Sequence, residues 1–492
     1  MKAVTWGTLA AAVAIYLARP ANFAQAQIFP EQRNLRIRGP AQLPRARMPD
    51  TPPPATVTRA QPEIAPRSLP LDEAVRIALL NAQVVRVLSG VAAVSSGRTI
   101  YDAPIANTAI DVENSRFDPR VQVDNSWNQL EQPQGLFDLG DPTAARIGAL
   151  RSDDYRLGAA VVKENVLGGQ ARVGVDTDSS RFGPGILPLN PQDRASADIS
   201  YTQPLLQGGG LRANIAPIVL ARIDTQRSYF QFKDAVQEQV RGVIEAYWSL
   251  VAARMAVWVG ERQVEQADFA FRLADALFRH GFTSGADRAQ ARVTRANFRA
   301  SLVTARADVI QREAALRNIL GLPPADAAQL VPVTPPADER LEPDWYALVD
   351  LAEERRPDLI ELKLIIEADQ QLLAQARNQA LPQADAVALY RWNGLEGRTP
   401  TGAELRTGAG EFADWTLGVN FSVPLGRRRG RADVRRVELL LARDRADLRQ
   451  GLHAAAHALA TNVRGLDQVY EQYLAFTEAR EAAQANLDQQ LA

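Results

Sequence analysis

Between Pro217 and His280 the chain runs 64 residues without a further proline, and only Gly242 and Gly260 interrupt it. That is enough for a single α-helix about 95 Å long at ~1.5 Å per residue, far longer than a globular domain can cover with its own core. Two apolar stripes run along this segment. One comprises Val236, Val240, Val243, Tyr247 and Leu250, and the other Ile244, Trp248, Val251, Met255 and Trp258. Each alternates four- and three-residue steps, the spacing of coiled-coil packing. Two adjacent stripes need two neighbours, which places the helix either inside a curved wall of helices or at the centre of a bundle.

The helix is expected to stop at Gly281-Phe282-Thr283-Ser284-Gly285, where Thr283 or Ser284 can cap a returning helix and Asp287 favours its positive end. The return ends at Leu320-Gly321, followed by Pro323-Pro324. Residues 217–320 therefore read as one long antiparallel hairpin. A proline-rich linker, 325–344, separates it from a second run of the same programme over 345–492. The opening segment Trp345 to Glu354 echoes Leu71 to Leu80, and the passage Tyr201-Thr202-Gln203-Pro204-Leu205 is echoed by Phe421-Ser422-Val423-Pro424-Leu425 at an offset of 219 residues. Pro204-Leu205 and Pro424-Leu425 are the expected strand-to-helix junctions.

The first copy, 68–324, opens with a helix expected from Pro70 to Leu88, with Ser68 as a plausible cap and Asp72-Glu73 at its positive end. Strand-like alternation follows within 117–204, at 120–127, 155–164, 171–180 and 195–203. It returns in the second copy at 384–392 and 414–423. Polar residues at every second position, with Trp127, Tyr155 and Tyr201 among the others, suit strands between lipid and water. An ordinary soluble sheet with one wet face shows the same alternation.

Residues 1–26 place Lys2 before an apolar run from Val4 to Leu17 and end on the small residues of Ala24-Gln25-Ala26, the grammar of a secretory signal peptide cut between Ala26 and Gln27. A run of about 14 residues is short of the roughly 20 that span a bilayer as a helix. No later stretch is expected to span as a helix, so a membrane-embedded part must be built of strands. Residues 27–67 are rich in proline and arginine and read as a disordered tether. The chain has 492 residues, no cysteine, and 56 Lys+Arg against 57 Asp+Glu. Disulfides and thiolate metal sites are excluded, and the charge balance argues against a nucleic-acid partner.

Signatures of catalysis are absent: there is no nucleophile elbow, phosphate loop, dinucleotide fingerprint or metalloprotease helix. His453 and His457 lie four apart with no third ligand in view. Asp176 and Asp178 read as solvated strand carboxylates, and Arg427-Arg428-Arg429 either lies near a membrane boundary or is a solvated charge run. No enzyme activity, cofactor or metal is expected.

The Leu71-Asp72-Glu73-Ala74 opening, the two Pro-Leu junctions, and Gly281…Ser284…Asp287…Gln290-Ala291 leading to Leu320-Gly321-Leu322 together resemble the outer membrane efflux proteins, the TolC-like channels. The resemblance covers 68–492 and implies a mainly α fold with membrane β: long helical hairpins forming a periplasmic α-barrel, and strands shared in a trimeric outer-membrane β-barrel. It further implies a homotrimer in outer-membrane lipid, acting as the passive exit duct of a tripartite efflux or type I secretion system. A periplasmic adaptor that links the channel to an inner-membrane pump is implied to meet the tip Gly281, Phe282, Thr283 and Ser284, although a plain helix turn explains the same residues. Three departures stand out. The family usually contributes four strands per protomer, whereas six are expected here, and its commoner Arg-Leu-Ser or Val-Gly-Thr tips are not matched. By the 219-residue offset the second tip falls near residue 500, so about 45 residues of the second return helix are absent and poor assembly is expected. Two competing readings are a periplasmic coiled-coil adaptor or scaffold, and a truncated non-functional copy of the channel.

Overall fold

A computed structural model describes residues 65–137, 145–183, 188–324 and 328–491. The proposed signal cleavage at Ala26 and Gln27, and most of the proline-rich tether, lie outside the described residues.

In chain order the elements are β1 (Ala65–Leu69), α1 (Leu71–Leu80), β2 (Val84–Ser89), β3 (Ala92–Thr99), α2 (Asp102–Asn114), β4 (Arg120–Phe137), β5 (Ala145–Glu164), β6 (Gln170–Gly183) and β7 (Gln192–Pro204). They continue with α3 (Leu211–Arg279), α4 (Gly285–Leu320), β8 (Ala328–Pro332), α5 (Trp345–Arg355), α6 (Pro357–Gln379), β9 (Gln383–Arg398), β10 (Glu404–Arg406), β11 (Phe412–Ser422) and α7 (Arg428–Leu491).

The opening helix ends eight residues earlier than the sequence suggests, at Leu80 instead of Leu88. Val84, Val85 and Val87 are β-branched and favour strand, and Gly90 at φ 63° turns the chain back after Ser89. The result is the β2–β3 hairpin, which lies on α3. Leu88 comes so close to Gly242 that a Cβ there would sit 3.0 Å from the leucine Cβ. Order also begins earlier than Ser68, because β1 pairs in parallel with β8, aligning Ala65 with Ala328 and Leu69 with Pro332. The long helix starts at Leu211, six residues before Pro217, which forgoes one backbone bond within the second turn.

The main core lies where β1, α1, α3, α4 and β8 meet. Leu69, Ala74, Ala78, Val243, Ala246, Tyr247, Leu250, Leu316, Ile319, Leu320 and Leu330 form one cluster. The first apolar stripe of α3 is thus used inside the chain. From the second stripe, Ile244, Met255 and Trp258 remain exposed. Carrying both stripes, α3 contains a window with mean hydropathy 1.2, long and apolar enough to cross a membrane by composition, with 33% of it buried within the protein. This differs from the expectation that no helix would reach that level, and the stripe pair is its cause.

Buried polar groups tie the core. Tyr247, fully buried, donates from Oη to the Leu69 carbonyl (2.9 Å) and accepts from the amides of Val333 (3.1 Å) and Thr334 (3.0 Å). Gln239, also fully buried, accepts from the Arg86 amide at 3.3 Å and donates to the Ala78 carbonyl at 3.3 Å, locking the β2 start to α1 and α3. Tyr247→Phe leaves one carbonyl and two amides without this partner. A loss of about 2 kcal/mol in unfolding free energy is expected, measurable by denaturant titration, and an unchanged midpoint would contradict the account.

Six columns of strand make the large sheet, in the order β4, β5, β6, β7, β9 and then β11 with β10, all antiparallel. β10 and β11 occupy the same edge of β9, end to end, separated by residues 407–411. The six expected strands are all present, and β4 and β5 extend well past their recognised segments, to 18 and 20 residues.

Candidate functional site

The register sorts the sheet into two chemically opposite faces. Val123 aligns with Ala159, Val175, Ala197, Trp392 and Ala413. One residue along, Asp124 aligns with Gly158, Asp176, Ser196, Asn393 and Phe412. Because strand side chains alternate in direction, each row belongs to one face throughout. The apolar face also carries Val121, Trp127, Tyr155, Val173, Ile199, Tyr390, Trp415, Leu417, Val419 and Phe421. Trp127 (73% exposed) and Leu417 (75% exposed) show how little of it is covered by the chain itself. Aromatic pairs reinforce it, with ring centroids 5.1 Å apart for Trp127 and Tyr155 and 4.8 Å for Tyr390 and Trp392.

The opposite face is charged and internally paired. Arg156 Nε donates to Asp178 at 3.0 Å, Arg172 pairs with the buried Asp198, and Arg172 also reaches Asp176 at 3.4 Å. Asn393 donates to Asp414 at 3.1 Å. Asp178 is thus held by an arginine of the neighbouring strand and Asp176 by one of its own strand, and a cavity of about 920 Å³ opens on this side, lined among others by Asp124, Arg156, Asp178 and Arg194.

At the lower rim the two strand-to-helix junctions converge on the α6–β9 turn. Pro204 closes β7, and the Leu205 amide donates to the Ala384 carbonyl at 2.7 Å. Asn378, at the end of α6, accepts from the Gly208 amide (2.9 Å) and donates to the carbonyls of Leu206 (3.3 Å) and Gly209 (2.9 Å). Asn214 in the first turn of α3 donates to the Gly208 and Gly210 carbonyls. The β5–β6 turn abuts the same loop: a Cβ on Gly168 (φ 86°) would lie 2.3 Å from the Gly208 carbonyl oxygen. At the second junction Pro424 and the 98%-exposed Leu425 precede Gly426 and Arg427, whose guanidinium donates to the Ala380 carbonyl at 2.7 Å. Arg427 is therefore a structural tie. Sequence reasoning singled out both Pro-Leu segments and missed Asn378 and Asn214, because nothing local marks an asparagine whose partners lie up to 172 residues away.

At the far end of the helical hairpin, α3 closes at Arg279 and Gly281 (φ 79°) reverses the chain, with the Phe282 amide donating to the Leu277 carbonyl at 2.9 Å. Ser284 caps α4: its Oγ accepts from the Asp287 amide (3.2 Å), and Asp287 in return accepts from the Ser284 amide (3.1 Å). Thr283 Oγ1 donates to the same carboxylate at 2.7 Å. These hydroxyl and amide donors, Ser284 foremost, hold the Asp287 pKa below its ordinary value. Phe282 projects from this rigid turn, 80% exposed.

His453 and His457 lie side by side on α7, ring centroids 4.4 Å apart and planes tilted by 59°. Among the described residues no group of three or more His, Asp or Glu side chains is placed to hold a metal.

Residues 180–322, spanning β7 and the long hairpin, match the family described as outer membrane efflux protein. Solved structures share the fold of the chain. The Campylobacter jejuni CmeC outer membrane channel is similar at 14% identity and TM-score 0.52, covering 84% of this chain and 74% of that one. A membrane protein from Pseudomonas aeruginosa is similar at 16% identity and TM-score 0.54, covering 86% and 83%, and the outer-membrane channel OprN at 16% and 0.54, covering 90% and 86%. No curated protein sequence matches.

Proposed function

We propose that this protein is the exit duct of a tripartite efflux or type I secretion system, conducting substrates passively from an inner-membrane pump through the periplasm to the exterior. It works as a homotrimer whose sheets share one barrel. The observation that carries this reading is the division of the six-column sheet into an apolar face suited to lipid and a charged face suited to a water-filled lumen. The exposed second stripe of α3 supports it, since neighbouring helices of a periplasmic wall would cover it. Purified protein is expected to form ion-conducting pores in planar bilayers; a water-soluble periplasmic protein that never conducts would favour a scaffold instead.

In this reading the adaptor grips the tip at Gly281, Phe282, Thr283 and Ser284. Glutamate at both Phe282 and Thr283 preserves the Ser284–Asp287 cap while adding charge to the only large apolar side chain of the turn. Site-directed crosslinking to the adaptor is expected to fall at least tenfold, with trimer content unchanged; crosslinking that persists removes the tip from the interface.

A further inference from the structure

The sheet has two unpaired edges, β4 and β11, and their chemistry fits them to each other. We propose, resting on the trimeric duct reading, that β11 of each copy pairs antiparallel with β4 of the next, so that three copies close a barrel of eighteen strands. The pairing aligns Arg120 with Ser422, Gln122 with Asn420, Trp127 with Trp415 and Leu130 with Phe412.

Four observations carry this. First, the chain cannot close on itself: a barrel of about eight strands is already filled by its own side chains, and six columns would have no room for the paired arginines and aspartates of the polar face. Second, the edges are unprotected. Residues 120–132 and Phe412–Ser422 contain neither proline nor lysine, the usual guards of an edge that must stay single.

Third, the stagger is that of a barrel. The line of direct partners from Arg120 passes through Val162, Arg172, Ser200 and Leu389 to Thr416, six residues before β11 ends at Ser422. Six residues over five strand steps is about 20 Å against about 24 Å, a tilt of about 40°, within the range that closed barrels require. A flush junction between copies gives eighteen residues over eighteen steps, a tilt of about 35°.

Fourth, the flush register is the one that matches side chains. Leu130 and Phe412 both lie on the polar face and are exposed within their own chain, and this register places them opposite each other. It also sets Ser126 opposite Thr416, Asn128 opposite Asp414, and Trp127 opposite Trp415 on the lipid side. Shifting by two residues puts Leu130 against Asp414. Since barrel diameter grows roughly linearly with strand number, eighteen strands make a mouth about half as wide again as twelve.

The chain has no cysteine, so a thiol experiment has no background. Gln122→Cys combined with Asn420→Cys puts two water-accessible thiols opposite each other across the junction. Oxidation of outer-membrane preparations is expected to yield covalent dimers and trimers, which neither single variant forms, and imaging of the purified trimer is expected to count eighteen strands. A trimer with twelve strands, or one that crosslinks only through Gln122→Cys with Ser422→Cys, overturns the proposed closure while leaving the duct reading intact. A chain that is monomeric and outside the outer membrane defeats the duct reading itself.

Discussion

Arginine at both Val175 and Leu417 is expected to keep the protein out of the outer membrane, whereas arginine at Ser196 and Thr416 is expected to be tolerated. All four positions lie on strands of the same sheet, and only the face differs between the pairs. Val175 and Leu417 lie in the middle of the apolar face, both exposed within the chain, and each arginine there costs about 2–4 kcal/mol at the level of the bilayer midplane. Together they reach about 4–8 kcal/mol, comparable to the whole stability of many folded proteins. Ser196 aligns with Asp176 and Asn393, and Thr416 follows Asp414 on the charged face, where a guanidinium finds carboxylates and water. Fractionation followed by heat-modifiability on gels reads the result. Equal behaviour of the two pairs would mean that the two faces do not see different solvents.

Stability is expected to fall as pH rises from about 4 to 7, and Asp369→Asn is expected to remove most of that dependence. Asp369 on α6 and Asp444 on α7 are both buried and face each other between the two helices. Burial, then the hydrogen bond and charge of Asp444, push the Asp369 pKa up to about 6 from 3.8. Arg443 Nε, 2.6 Å from Asp444, holds that partner's pKa down, so the proton of the pair resides on Asp369.

The sign follows from linkage. Below pH 3.8 folded and unfolded chains both bind the proton. Above it the unfolded chain releases the proton first, and beyond about pH 6 the folded chain must ionise a buried carboxyl. Moving the carboxyl from 3.8 to about 6 corresponds to about 3 kcal/mol lost across that window. The depressed Asp444 works in the opposite direction, gaining stability above the ordinary carboxylate range, so the comparison of wild type with Asp369→Asn is the one that isolates Asp369. The variant is expected to be more stable at pH 8 by up to about 3 kcal/mol and indistinguishable near pH 4. Parallel pH profiles of the two would refute the shared-proton account.

Neither aspartate is conspicuous in the sequence, since each lies on a long helix among many charges and their meeting depends on how α6 packs on α7. The same distinction separates what was legible from what was not. Features governed by periodicity were readable: the proline-free run of α3, its two stripes, the alternation in six strands, and the Gly-Ser-Asp turn at the tip. The β2–β3 hairpin was not, because Val84 to Leu88 continues an apolar pattern that a helix would also satisfy, and its selection rests on Gly90 and on the space that Gly242 leaves for Leu88. The candidate lumen was legible only as alternation. Which carboxylate meets which arginine requires the register, as Arg172 and Asp198 are 26 residues apart and directly bonded.

The clamp formed by Asn378, Asn214 and the Gly208 loop has a mechanical consequence. It pins one end of a helix of 69 residues, which is a rod about 100 Å long. A rotation of about 5° at the pinned end sweeps the free end, and Phe282 with it, through about 9 Å. Angular precision of a few degrees at three hydrogen-bonded residues beside the sheet therefore sets where the distant end of the lever arrives. An Asn378→Ala substitution, although chemically remote from the tip, is expected to broaden the distribution of tip-to-tip distances measured by spin labels on the helical turn.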